Sequence, residues 1–594
     1  MTVALLFIVI FGTLAYRRAK ASVWTVSFGV YLAILSVFYE VGLCLTTLWS
    51  LFAIYAVIVN VPVVRRMLIT NHILRLFKKI LPPMSSTEKE ALDAGTVWWD
   101  GDLFSGKPDW QKLLKHDTAK LSAEEQAFID GPVNELCALI DDWKISQDLN
   151  DLPPEVWQFI KENRFFGMII PKKYGGLAFS ALAHSAVVMK ISTRSVAAAV
   201  SVMVPNSLGP AELLLRYGTE KQKDHYLPRL ANGREIPCFA LTSPEAGSDA
   251  SSIPDYGIVC KGDFADQTNV LGIRISWNKR YITLGPVATV LGLAFQLEDP
   301  DGLIGDTKNL GITCALIPTD HPGVNIGRRH HPLSIGFQNG PNSGDDVFIP
   351  MDWVIGGVEQ AGHGWRMLMN CLAAGRSISL PALSVGGAKF TCHAIGAYAR
   401  IRKQFKMPIG RFEGVEEPLA RMAGYAYMMD AARTLTASAL DHGESPSVLS
   451  AVLKYQLTER MRRSVNDAMD VQGGSGICLG PNNILGKLYH AIPISITVEG
   501  ANILTRSLIV FGQGAIRCHP YVLQEMHAAT ETDKRKAAIQ FDEAFSGHVL
   551  FALSNFTRSL VMGLTNSHFV STELDIELQH YYKTLTRFSS GFAL

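Results

Sequence analysis

The chain has 594 residues, several times the roughly 100–200 of one domain, so several domains and a large buried core are available. Its formal net charge of +1 gives no general argument for nucleic acid, and its 18% of charged residues falls below the roughly 25% of an average soluble protein. Nine cysteines without a CxxC pair argue for reduced thiols in a cytoplasmic catalytic region, and 16 histidines without HExxH give no metal site.

The charge deficit is concentrated at the N-terminus, where residues 1–64 hold only Arg17, Arg18, Lys20 and Glu40 as charges. Apolar runs over 1–16, 21–39 and 41–64 follow one another, and the last reaches about 36 Å as a helix, enough for a hydrocarbon core of about 30 Å. A secretory signal would carry its positive charges ahead of the first run, whereas here they follow it, which favours retained membrane helices. Arg17, Arg18 and Lys20, like Arg65, Arg66, Arg75, Lys78 and Lys79, belong on the cytoplasmic side. Three spans with a turn near Glu40 and Gly42 satisfy this, with two spans or a re-entrant hairpin as alternatives. In RRMLITNHILRLFKKILPP, Ile69, Ile73, Leu76, Phe77 and Ile80 share a helical face opposite Arg75, Lys78 and Lys79, the pattern of a helix lying on anionic lipid. Residues 1–81 thus read as a membrane anchor.

Residues 82–130 are polar and mixed, with Trp98, Trp99 and Trp110, and read as a linker or wrapping arm. Over 131–236 the period is helical, as in PEVWQFIKENRFF (154–166), SALAHSAVVMKIS (180–192) and KQKDHYLPRLANG (221–233). Over 237–360 short segments bounded by Gly, Pro or Asp read as strands: CFALTS (238–243), NVLGIRISW (269–277), ATVLGLAFQL (288–297), GITCALIP (311–318) and DDVFIP (345–350). Helical patterns return over 361–517. Residues 518–594 are less patterned and read as the start of a C-terminal extension. The α–β–α order, without alternating βαβ units and without GxGxxG, argues against a doubly wound dinucleotide fold.

Two stretches carry chemistry. In CFALTSPEAGSDAS (238–251) a strand-like run ends in small residues that let the backbone approach a flat or phosphorylated ligand, with hydroxyls at Thr242, Ser243 and Ser248. In SITVEGANILTRS (495–507) an apolar run stops at Glu499 and Gly500. Glu499 there is either a carboxylate favoured by a helix N-terminus or a base held in a dry pocket.

CFALTSPEAGSDAS resembles the flavin signature of the acyl-coenzyme A dehydrogenase family. FFGMIIPKKYGG (165–176), NKRYITLG (278–285), IRKQFKMPIG (401–410), DVQGGSG (470–476) and VEGAN (498–502) resemble further family motifs, in family order, over about 131–517. The anchor and arm are similar to the large bacterial FadE-type members. The resemblance implies a helical domain, a central β domain, a C-terminal four-helix bundle and at least a homodimer. It implies FAD-dependent conversion of a saturated medium- or long-chain acyl-CoA to the trans-2-enoyl-CoA in fatty acid β-oxidation, with electrons passed to an electron-transfer flavoprotein or similar carrier. The location implied is the inner membrane, in contact with lipid, with the catalytic domains on the cytoplasmic side.

On this resemblance Glu499 is the base, and Phe239, Leu241, Thr242, Ser248, Tyr281, Ile282, Thr283, Gln472, Gly473, Gly474 and Asn502 are flavin contacts. Arg402 and Phe405 reach the FAD of the dimer partner, while Arg376, Ser248 and Gly500 sit at the substrate. Ser243, Tyr281 and Lys406 stand where the family usually has Glu, Trp and Gly. Some family members place the base one residue before the Arg, which here is Gly375, a residue unable to serve. An acyl-CoA oxidase and a non-catalytic membrane adaptor of the same fold are the competing readings.

Overall fold

A computed structural model describes residues 2–39, 42–207, 209–570 and 576–594. Glu40, expected at a turn between spans, lies outside the described residues. The chain divides into two compact units, one of residues 1–85, 97–116 and 511–594, the other of residues 86–96 and 117–510.

The first unit opens with three apolar helices, α1 (Thr2–Tyr16), α2 (Ala21–Phe38) and α3 (Leu43–Asn60). Among the described residues, α2 and α3 are long and apolar enough to cross a membrane, at about 27 Å each. The first of the three expected spans is realised as a helix of 15 residues, about 22 Å. Apolar side chains such as Leu5, Ile8, Val26, Val30, Leu51 and Ile54 face outward. Polar groups on these helices find partners inside the group. The Tyr31 hydroxyl donates to the Val3 carbonyl at 2.9 Å, Trp49 Nε1 to Ser36 Oγ at 3.0 Å and Asn60 Nδ2 to Thr25 Oγ1 at 2.7 Å.

After a π-helical turn, α4 (Asn71–Ile80) carries the basic cluster. The apolar face expected to lie on lipid is divided. Leu74, with Ile73, Phe77 and Leu81, packs against Ala528, Ala529, Ala537, Phe541 and Phe545 from the helices Val522–Thr530 and Lys534–Leu564, while Leu76 and Ile80 stay exposed beside Arg75, Lys78 and Lys79. The aromatic residues of Lys534–Leu564 supply an apolar surface that the local pattern of residues 65–83 does not announce.

One charged lock fastens the start of this segment. Arg65 donates from Nε and Nη2 to the two carboxylate oxygens of Asp542 at 2.9 and 2.6 Å, and Thr70 Oγ1 donates to Asp542 Oδ1 at 2.6 Å. Burial works to raise the Asp542 carboxyl, but its bonds to Arg65 and Thr70 outweigh it and hold the group below the usual carboxylate range. The stabilisation is therefore complete above the unfolded value near 3.9 and vanishes as pH falls through the lower folded value. Asp542→Ala is expected to cost about 2 kcal/mol at neutral pH, with wild-type and variant stabilities converging in acid. Urea unfolding of the full chain across pH checks this, and a pH-independent difference would contradict it.

The second unit begins with a helical region: α5 (Pro154–Glu162), α6 (Ala181–Ser192), α7 (Val196–Met203), α8 (Pro210–Tyr217) and α9 (Glu220–Ala231). α7 is buried on every side, which accounts for its Ala- and Val-rich sequence. A seven-stranded sheet follows: β1 (Pro237–Ala240), β2 (Tyr256–Phe264), β3 (Gln267–Thr283), β4 (Val290–Glu298), β5 (Asn309–Pro318), β6 (Asn325–Ile326) and β7 (Asn339–Pro350). Its order is β1-β4-β2-β3-β7-β6, with β5 antiparallel to β4. The expected strand segments lie largely within β1, β3, β4, β5 and β7. β2 was not expected, because its apolar Tyr256 and Ile258 face outward while Gly257 faces the core. A Cβ on Gly257 would meet Ile273 and Phe295 at 2.7 and 2.8 Å, so the packing there excludes a side chain.

Long helices complete the unit: α10 (Gly364–Ile401), α11 (Glu413–Asp441), α12 (Ser447–Gln472) and α13 (Gly486–Thr497). Their apolar faces join the helical region and the sheet in one core that includes Val187, Phe295, Leu383, Met429 and Met461.

Candidate active site

The loop after β1 is held against the end of β3 by a buried ammonium. Lys279 is on the inward register of β3, and its Nζ donates to the Leu241 carbonyl at 2.9 Å, Ser243 Oγ at 3.1 Å and Asp255 Oδ2 at 2.5 Å. Burial pulls the Lys279 ammonium down, with Asp255 opposing. Ser243 Oγ donates to Asp255 Oδ2, giving the residue that departs from the family's usual Glu a place in this network. The Arg280 N–H donates to the Thr242 carbonyl at 3.0 Å.

These bonds bring Leu241 and Thr242 beside Tyr281, Ile282 and Thr283. Asn339 Nδ2 donates to the Tyr281 carbonyl at 3.0 Å and to Thr283 Oγ1 at 3.3 Å, leaving the Thr283 hydroxyl proton available to a ligand acceptor. Ile282 is buried in the core, whereas Tyr281 stays 59% exposed at φ 62°, with Arg280 over its ring at 5.0 Å. A bulky residue in that conformation is strained, and here the strain turns the ring out of the strand. Phe239 packs over Gly292, and Ser248 is exposed farther along the loop.

The carboxylate lies at the break after α13. Glu499 and Gly500 are both left-handed, at φ 54° and 87°, which breaks the helix and bends the chain by 48° before the next helical segment, Asn502–Cys518. Both Glu499 carboxylate oxygens are buried, and neither has a hydrogen-bond partner among the described residues. Burial pushes the Glu499 carboxyl up, with the charges of Arg376 and Lys454 pulling it partly back. Arg376 Nε, from α10, donates to the Glu499 carbonyl at 3.1 Å. The residue before Arg376 is Gly375, which has no side chain to serve as a base, and a Cβ there would be tight, at 3.1 Å from Ser207 Cβ and its carbonyl oxygen.

Lys454, on α12, was not singled out from the sequence. It is fully buried, and its Nζ donates to the Ile496 and Gly500 carbonyls at 3.0 and 2.7 Å and to Asn502 Oδ1 at 2.7 Å. Asn502 Nδ2 in turn donates to Thr458 Oγ1 at 3.0 Å and Glu459 Oε1 at 2.7 Å. The Asn502 amide is thus committed to α12, and the structure does not bring it to the other flavin candidates.

The remaining candidates form a separate group. Tyr398, near the end of α10, donates its hydroxyl to the Gln472 carbonyl at 3.3 Å, placing the Gln472–Gly474 turn at the same end of the bundle as the hairpin of Arg402 and Phe405. Phe405 is 88% exposed, and Gln472 Oε1 is buried without a hydrogen-bond partner among the described residues. Loop hydroxyls, an outward aromatic ring and two sets of orphaned oxygens fit a large, flat, polar-edged cofactor and a second ligand beside it.

Four family models match the chain: "Acyl-CoA dehydrogenase, N-terminal domain" over 123–234, the middle domain over 238–347, the C-terminal domain over 362–511 and "Acyl-CoA dehydrogenase, C-terminal, bacterial type" over 516–594. The chain is similar to "Protein HemX" of Proteus mirabilis, at 58% identity over 104 residues, 18% of this chain and 61% of that one. It is similar to "Probable acyl-CoA dehydrogenase FadE10" of Mycobacterium tuberculosis, at 28% identity over 406 residues, 68% of this chain and 59% of that one. The chain thus spans about three fifths of the length of these curated relatives. A solved structure of a glutaryl-coenzyme A dehydrogenase with glutaryl-CoA superposes with a TM-score of 0.58 at 26% identity, covering 68% of this chain and 98% of that one.

Proposed function

Because the chain belongs to the acyl-CoA dehydrogenase family, a family of FAD-binding flavoproteins, we propose that it oxidises a saturated medium- or long-chain acyl-CoA to the trans-2-enoyl-CoA in fatty acid β-oxidation. The observation that carries this reading is the buried, unpartnered carboxylate of Glu499, set where Gly375 leaves no other base.

Glu499 takes the α-proton of the bound thioester. Gly500, with the backbone N–H beside the carboxylate, binds the thioester oxygen, and Arg376 holds the turn through the Glu499 carbonyl. Leu241, Thr242, Tyr281 and Thr283 orient the cofactor and exclude water from its reacting side. FAD, when bound, supplies the hydride acceptor for the β-carbon. Phe239, Ser248 and Ile282 complete that side, and Gln472, Gly473 and Gly474 hold its adenosine end. The exposed Arg402 and Phe405 serve the partner subunit of a homodimer, with Ser248 also at the acyl-CoA.

The outward apolar faces of α2 and α3 and their internally satisfied polar groups support an anchor in the inner membrane, in contact with lipid, with the second unit on the cytoplasmic side. An electron-transfer flavoprotein or similar carrier then accepts the electrons.

Anaerobic mixing of the flavin-loaded chain with short, medium and long acyl-CoAs tests the reaction. Bleaching of the flavin by the longer substrates is expected; an unchanged spectrum with all of them overturns the reading, and rapid peroxide formation in a parallel aerobic reaction without an added acceptor makes the chain an oxidase. The same assay has a defined pH dependence. Only ionised Glu499 accepts a proton and burial raises its protonation point, so the bleaching rate should climb with pH through a midpoint above the ordinary glutamate value near 4.3. A flat profile from pH 4 upward would contradict this assignment.

A further inference from the structure

We propose that Lys454 is the positioning residue of the proton-abstracting carboxylate, its buried ammonium fastening the left-handed Glu499–Gly500 turn from both sides. The inference rests on Glu499 being the base. Three observations carry it. The Lys454 ammonium has three donors, and all three are spent on this turn: the Ile496 carbonyl before it, the Gly500 carbonyl within it and the Asn502 amide oxygen after it. Asn502 is fixed in its turn by Thr458 and Glu459, four and five residues along the same helix as Lys454, so α12 holds the turn through two side chains, beside Arg376 on the Glu499 carbonyl and Thr505, whose hydroxyl donates to the Gly500 carbonyl at 3.0 Å. The Glu499 carboxylate makes no hydrogen bond of its own, so the place of its oxygens is set through the backbone of the turn.

Charge adds to geometry. The ionised groups acting on Glu499 are Arg376 from α10 and Lys454 from α12, and Lys454 itself faces Glu499, Arg376 and Glu459. Burial brings the Lys454 ammonium down to about 8 against the opposing pull of Glu499. It is thus charged through neutral pH, where it favours the ionised carboxylate. Among the described residues Arg376 donates to the Glu499 carbonyl within the turn, whereas Lys454 bonds on both of its flanks.

The test compares Lys454→Met, Lys454→Gln and Lys454→Arg in the full FAD-loaded chain, with Glu499→Gln alongside. It reads flavin content, thermal midpoint and the pH profile of anaerobic flavin bleaching by one acyl-CoA. Lys454→Met is expected to keep its flavin, bleach about 100-fold more slowly at pH 7 and shift the midpoint of the pH profile upward by about one unit. Lys454→Gln keeps donors without charge; it should show the same upward shift with a smaller loss of rate, and it carries the test if the Met variant does not fold. Lys454→Arg keeps the charge and should hold the pH midpoint near wild type. An unshifted midpoint in both neutral variants, or a rate that falls only in proportion to flavin content, overturns the proposal. If Glu499→Gln bleaches at the wild-type rate, the base itself is misassigned; if it is inactive while Lys454→Met behaves as wild type, only the inference about Lys454 fails.

Discussion

Glu499→Gln is expected to purify with full flavin content, bind acyl-CoA and reduce its flavin at least about 1,000-fold more slowly than the wild type. The amide has nearly the shape of the carboxylate, and in a site where neither oxygen is hydrogen-bonded it disturbs no protein contact. What it removes is the capacity to take a proton. The variant should fold at least as firmly as the parent, because the parent places a carboxylate in a buried position that disfavours its charge. Stopped-flow bleaching with titration of bound acyl-CoA separates binding from chemistry, and substantial residual bleaching would place the base on another residue.

The second large effect is expected at Lys279→Met. Lys279 and Asp255 are a buried pair whose bonds run to Ser243 and to the Leu241 carbonyl. Removing the ammonium leaves an uncompensated carboxylate in the core, at a cost of about 3–5 kcal/mol. The same change unfastens the loop that presents Leu241 and Thr242, so the chain should also lose flavin on dialysis. Replacing Asp255 as well, in Lys279→Met/Asp255→Leu, removes the stranded charge and should recover part of the stability without restoring flavin affinity. Denaturant unfolding with flavin absorbance after dialysis measures both, and a single variant that keeps its stability and cofactor would show that the pair holds nothing in place.

The two lysines also show where the sequence was legible and where it was passed over. The sequence points to Glu499 as the proposed base because its motif coincides with a glycine, Gly375, at the alternative position. Lys279 occupies the inward register of β3 after Ile273, Ile275 and Trp277, so the alternation alone points it into the core. Lys454 lies on the buried stripe of α12 with Ala451, Thr458 and Met461. A lysine on an apolar stripe is a legible signal, yet it is easily taken for a solvated residue when neighbouring positions are charged. The order of helices, strands and helices was likewise visible in the period of the pattern. The joining of α4 to helices near the other end of the chain was not, because the contacts of Arg65 with Asp542 and of Leu74 with Phe541 link segments with no shared local period.

The joining of residues 1–85, 97–116 and 511–594 in one unit sets a timetable for biosynthesis. The first helices leave the ribosome long before the segment that supplies Asp542, Asn555 and Arg558. At roughly 5–20 residues per second the interval is on the order of half a minute to a minute and a half. Through that time Arg18 lacks Asn555, to which its side chain later donates, and Leu74 lacks Phe541, which later covers it. The residues of the second unit are nearly all made in between, time enough for a domain of that kind to fold as a unit before the first acquires these contacts.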